Sequence, residues 1–133
     1  MKRILLPVEE TTRSLTALTQ VKKLFAPDEV EIVLLMIDES VDYTASREAA
    51  EQAMDLLEKK LDLVEATLEG YYVIKKADMG KAGQRIVKCA REFGADLIVM
   101  TKSAKDENKN VVGKTAEYVI SHAECNLMIA TET

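Results

Sequence analysis

The sequence predicts a single α/β domain, a doubly wound five-stranded parallel sheet with helices on both faces. Three observations predict it. Short apolar runs alternate with stretches of helical spacing, in the order βαβαβαβαβ. The runs are apolar on both of their own faces, as strands are when helices cover both sides of a sheet. The chain, 133 residues long, fits one compact domain spanning 1–133, with no linker, low-complexity tract or internal repeat to divide it. Right-handed crossovers then wind the helices onto alternate faces.

The elements follow in order. "RILLPV" (3–8) is a short apolar run ended by Pro7 and acidic residues, so a buried strand. Helical spacing begins at Thr11 or Thr12, which can cap it, and runs through Leu15, Leu18, Val21 or Lys22 and Phe25 until Pro27 stops it. "EVEIVLLMI" (29–37) is the second strand. Ala50, Met54, Leu57, Leu61, Val64 and Leu68 then form one apolar helical stripe, with Gly70 as its expected C-cap. "YYVIKKA" (71–77) is a more polar strand, which suits a sheet edge. "KAGQRIVKCAREF" (81–93) is a helix with Ile86, Cys89 or Ala90, and Phe93 on one face, closed by Gly94. "ADLIVMT" (95–101) is the fourth strand. Val112, Ala116, Val119 and Ile120 mark the last helix, and "NLMIA" (126–130) the fifth strand.

Charge and composition exclude several functions. The net charge of −5, from 18 basic and 23 acidic residues, is the wrong sign for sequence-independent nucleic-acid binding. Cys89 and Cys125 stand far apart with no CxxC or Cys/His cluster, so no zinc site is expected. They read as packed thiols of a reducing compartment. The apolar runs are too short to span a membrane. "MKRILLPVEE" has an apolar run of three before Pro7, which does not read as a signal peptide. The expected location is the cytoplasm.

Doubly wound sheets bind ligands beyond the carboxyl ends of their strands, where the strand order reverses. The loops 7–12, 37–46 and 101–112 are therefore the candidate site. Near the last of them stands "GKT", Gly113, Lys114 and Thr115, which has the form of the end of a phosphate-binding loop. That loop needs G-x-x-x-x-G-K-[ST], and the position for its first glycine is Asn108. It must also leave its strand directly, whereas about ten residues separate the fourth strand from Gly113. The motif reads instead as a helix N-terminus, whose free N–H groups and dipole can still attract an anion.

Four segments resemble the universal stress protein family in order and spacing: "KRILLPVEET", "VLLMIDES", "GKAGQRIVKCAREFGADLIVMT" and "VVGKTAEYVISHAECNLMIA". The last keeps the family's His-Ala-x-Cys as His122, Ala123, Glu124 and Cys125. The resemblance implies strand order 3-2-1-4-5, with the switch point between strands one and four. It implies a pocket lined by Pro7, Val8, Glu9, Ile37, Thr101, Lys102, Gly113, Lys114 and Thr115. The ATP-binding members share G-x-x-G, about nine residues, then G-[ST]. Here Thr101 and Ala104 replace the first two glycines, Gly113 fits the third with the gap one residue shorter, and Lys114 replaces the hydroxyl, although Thr115 follows. Glu9 stands for the family's aspartate after strand one. A Cβ at Thr101 and Ala104 fills space that glycine leaves to phosphate oxygens. Asp106 and Glu107 add like charge, and Lys102, Lys105, Lys109 and Lys114 oppose it. The resemblance also implies a homodimer through the last strand, Asn126, Leu127, Met128, Ile129 and Ala130, an apolar edge that pairing would cover.

The expectation is a non-enzymatic, homodimeric stress-response protein without tight ATP binding and without a cofactor. The alternative is a member that binds ATP through an altered phosphate loop, with slow hydrolysis. A remoter alternative is a receiver-like phosphorylation switch at Asp78, which would need Glu9, Glu10 and Thr101 nearby and a lysine after Ala130 that the chain lacks. Glu9 and Glu10 as an acid–base pair, and His122 as a catalyst, are weaker readings than a solvated helix start and a helix-terminal cation.

Overall fold

The computed structural model describes residues 1–9, 14–40, 44–101 and 113–131. Thr11 and Thr12, Glu10, Lys102, Ala104 and the rest of the loop before Val112, and Val112 itself, lie outside the described residues. The elements are β1 (Lys2–Pro7), α1 (Ser14–Leu24), β2 (Val30–Asp38), α2 (Arg47–Glu65) with a 3-10 turn (Ala66–Leu68), β3 (Tyr72–Met79), α3 (Ala82–Phe93), β4 (Leu97–Thr101), α4 (Lys114–His122) and β5 (Asn126–Ala130). The strands form one parallel sheet in the order β3-β2-β1-β4-β5. The expected α/β architecture and strand order are both present.

Alternation along the strands divides the core in two. Ile4, Leu6 and Val8 of the first strand segment, Ile32, Leu34 and Met36 of β2, and Val99 of β4 face α1 and α2. Leu5, Val33, Leu35, Ile98 and Met100 face α3 and α4. Burying each such leucine or isoleucine stabilises by roughly 1.5–3 kcal/mol. The α2 stripe is core: Leu57, Leu61 and Leu68 are buried, and Met54 and Val64 pack beside them. On α1 the inward face is Ala17, Leu18 and Val21, while Leu15 is half exposed.

Caps show where local sequence and tertiary structure divide the work. Ser46 caps α2, its Oγ accepting from Ala49 N–H at 3.1 Å. α2 does not run to Gly70: it ends at Glu65, and the 3-10 turn intervenes before Gly70 turns the chain at φ 90°. Gly94 closes α3 in the left-handed conformation, φ 60° and ψ 44°, as expected. The N-cap of α3 is Lys81, which has no acceptor. Glu39, from the end of β2, supplies it, its Oε1 accepting from Ala82 N–H at 2.8 Å.

At the amino end of the sheet Arg3 joins three elements. Its main-chain N–H donates to the Asp96 carboxylate and its carbonyl accepts from Asp96 N–H, both at 2.8 Å. Its guanidinium donates to the Phe93 carbonyl at 2.6 Å, at the end of α3, and to Glu31 of β2 at 3.2 Å. On the α3/α4 side the two helices touch at Gly83, where an added Cβ would lie 2.8 Å from Tyr118 Cδ1.

Candidate functional site

A crevice requires that two neighbouring strands part, and β1 and β4 do. β1 is in register with β2 over its whole length, Lys2 with Val30 through Pro7 with Leu35. With β4 its register covers only Ile4 with Leu97 and Leu5 with Ile98 among the described residues. Val8 N–H keeps to the β2 side, donating to the Leu35 carbonyl at 2.8 Å. Helix α1 lies on one face at this point and α4 on the other, because α1 packs in the first core and α4 in the second. This is the reversal of strand order at which doubly wound sheets hold ligands.

Pro7 and Glu9, Ile37, and Thr101 stand at the carboxyl ends of β1, β2 and β4. α4 leaves β4 from this same end, so Gly113, Lys114 and Thr115 open there too. Val8 differs from the expectation of a lining residue: it is 3% exposed and packs in the α1/α2 core. Glu9 and Lys114 are exposed, and Thr101 and Thr115 half-buried. Gly113 is the N-cap of α4 in extended conformation and, lacking a side chain, caps nothing. The "GKT" is thus a helix start, with Lys114 in the first turn.

The Thr101 side chain alternates with Met100 and so points to the α1 face, beside Val99. Its Oγ1 accepts from Ala17 N–H, in the first turn of α1, at 3.2 Å. Nothing in the local sequence announces this bond, which joins residues 84 positions apart. The Glu39 cap on α3 was equally hidden. Its one trace is an N-cap lysine that must find its acceptor elsewhere. Beside it Gly80 N–H donates to the Asp38 carbonyl at 3.2 Å, zipping the ends of β2 and β3 together.

The other candidates lie elsewhere. Asp78 is on β3, which β2 separates from β1, so it is not brought together with Glu9 and Thr101. Its Oδ1 accepts from Met79 N–H at 2.8 Å. His122 is exposed at the end of α4, its ring stacked on Tyr118 at 4.0 Å and its Nδ1 2.8 Å from the Tyr118 carbonyl. A neutral ring donates to that carbonyl from Nδ1. Cys89 is buried in the α3/α4 core, and burial, then the Glu92 charge, pushes its thiol up to about 11. Burial also raises the Cys125 thiol. Cys125 lines a cavity of about 190 Å³ with Val87, Ala90, Arg91, Gly94, Ala95 and Glu124. That cavity is at the amino ends of β4 and β5, opposite the crevice. Among the described residues no His, Cys, Asp and Glu group is placed to hold a metal ion, and no helix is long and apolar enough to cross a membrane.

The profile of the Universal stress protein family matches residues 1–131. Among solved structures, the hypothetical protein MJ0577 superposes with a TM-score of 0.83 at 23% identity, covering 99% of this chain and 96% of that one. Universal stress protein UspA from Lactobacillus plantarum gives 0.71 at 19% identity, covering 97% of each chain. A universal stress protein family protein from Arabidopsis thaliana, solved with AMP bound, gives 0.69 at 17% identity over all of this chain and 93% of its own. No curated protein matches the chain.

Proposed function

The chain belongs to the universal stress protein family, and from that premise we propose a non-enzymatic, homodimeric stress-response protein of the cytoplasm that does not hold ATP tightly. The observation that carries this reading is Thr101. It ends β4 at the crevice, where close approach of backbone to phosphate needs glycine. Its side chain is half-buried there and bonded to α1. The residues present therefore fit a nucleotide's phosphates poorly. β5 supports the dimer. It is a terminal strand of the sheet, and Leu127, Met128 and Ile129 are only partly buried within the chain.

A second reading has an observation of its own. Gly113, Lys114 and Thr115 do open a helix at the crevice, with a lysine in the first turn and no side-chain cap from Gly113, and a helix N-terminus offers donors to an anion. One protein of the same fold was solved with AMP bound. In this reading the chain binds nucleotide from the α4 side, and slow hydrolysis accompanies binding.

Thermal unfolding with and without millimolar Mg-ATP, with AMP and sulfate as controls, separates the two. A ligand at a hundred times its dissociation constant stabilises by about 2.7 kcal/mol, which moves the midpoint by several degrees. No shift supports the first reading. A shift specific to adenine nucleotide favours the second. Light scattering tests the dimer: the expected mass is twice the 14.8 kDa of the chain.

A further inference from the structure

We infer that Thr101 determines what the crevice admits, acting as an internal tie that closes its α1 side. The inference rests on the reading above and names the residue responsible for it. Thr101 is the last residue of β4, two positions beyond the point where the parting of β1 from β4 begins at Val99. The bond from Ala17 N–H holds the first turn of α1 against this strand end. Ala17 is fully buried and small, so the helix backbone comes close to the sheet there. Among the described residues, the Thr101 methyl and hydroxyl stand on this face where β1 and β4 part. The hydroxyl oxygen already accepts from Ala17 N–H, which holds the side chain in space that a glycine would leave open.

Three variants test the tie, read by calorimetric titration with Mg-ATP and with AMP. The Ala17 amide resonance reports the bond itself. Thr101→Ser keeps the acceptor, so it should bind no better than the wild type and leave the Ala17 amide where it is. Thr101→Gly removes tie and bulk together. It should shift the Ala17 amide and tighten adenine-nucleotide binding by at least about tenfold. If circular dichroism shows Thr101→Gly unfolded, Thr101→Ala is read in its place with the same expectation. A folded Thr101→Gly or Thr101→Ala that binds no tighter than the wild type overturns the inference and leaves the functional reading intact. Thr101→Ser binding as well as Thr101→Gly overturns it too, because the tie would then not be what excludes. Micromolar binding by the wild-type protein instead overturns the functional reading.

Discussion

Along one edge of the sheet, β3 carries Lys75, Lys76 and Asp78; along the other, Leu127 to Ala130 of β5 carry no charge. Lys75 points to the α2 side and reaches Asp62 at 2.6 Å and Glu65 at 3.1 Å. Those contacts, the Asp62 hydrogen bond first, raise its pKa. The helices differ in the same sense. α2 spans 19 residues and buries Leu57 and Leu61, whereas α4 spans nine and buries Ala116 and Val119. An edge strand is a row of open main-chain donors and acceptors, and inward-pointing charge is one way to blunt it. One edge is finished within the chain. The other carries no charge, as the proposed dimer through β5 requires.

The strongest way to break this contrast is Met128→Pro. It removes a main-chain donor at the centre of β5 and should weaken self-association on the order of 100-fold. Sedimentation or light scattering across a dilution series would then report monomer. An unchanged dimer would place the interface elsewhere and remove the meaning given to the apolar edge.

The next variant sharpens the difference in bracing. Gly83→Ala puts a Cβ 2.8 Å from Tyr118 Cδ1 and 3.0 Å from Tyr118 Cβ, too near the main chain for a side-chain rotation to relieve it. α4 must move, at an expected cost of about 1–3 kcal/mol in urea unfolding. A cost near zero would mean that α4 is not held at this contact.

Lys75→Met gives the smallest effect on stability. Exposed ion pairs contribute little and are screened by salt. The sign follows from the raised pKa. The contribution is whole below 10.5, the ordinary lysine value, and is lost as pH rises through the folded-state value. The difference between wild type and variant should therefore hold through neutral pH, fade in strongly alkaline solution, and shrink in molar salt. The variant should also begin to associate at high concentration through β3. A Lys75→Met protein as soluble as the wild type would mean that Lys76 and Asp78 guard the edge without it.

Most of the fold is legible in the sequence because its signals are local and agree with one another. The both-face apolar run of β2, the 4-3-4-3-4 stripe of α2 and the glycine closing α3 each have one physical reading. Departures occur where tertiary contact overrides periodicity. Leu15 has the right spacing for the core, but the close approach of α1 to the sheet is made by Ala17. Gly70 ends a 3-10 turn rather than the helix. The switch point between β1 and β4 follows from the strand order that the family resemblance implies, and the sheet has that order. The interior of the crevice is not legible, since Thr101 with Ala17 and Glu39 with Ala82 join residues 84 and 43 positions apart. No periodicity or spacing carries such pairs.

Arg3 has a consequence for the time at which the protein can form. β1 is made first yet lies third in the sheet, between β2 and β4. Its anchors at Glu31 and Asp96 lie 28 and 93 residues downstream. At about 5–20 residues per second of synthesis, β1 waits roughly 5–20 s for its second neighbour. Through that interval β1 can pair with β2 alone, and the nascent chain displays its open β4-side edge, with Leu5, as a target for chaperones or for a neighbouring polysome's product. The Asp96 and Phe93 contacts to Arg3 then act as the latch that ends the exposure once β4 has emerged.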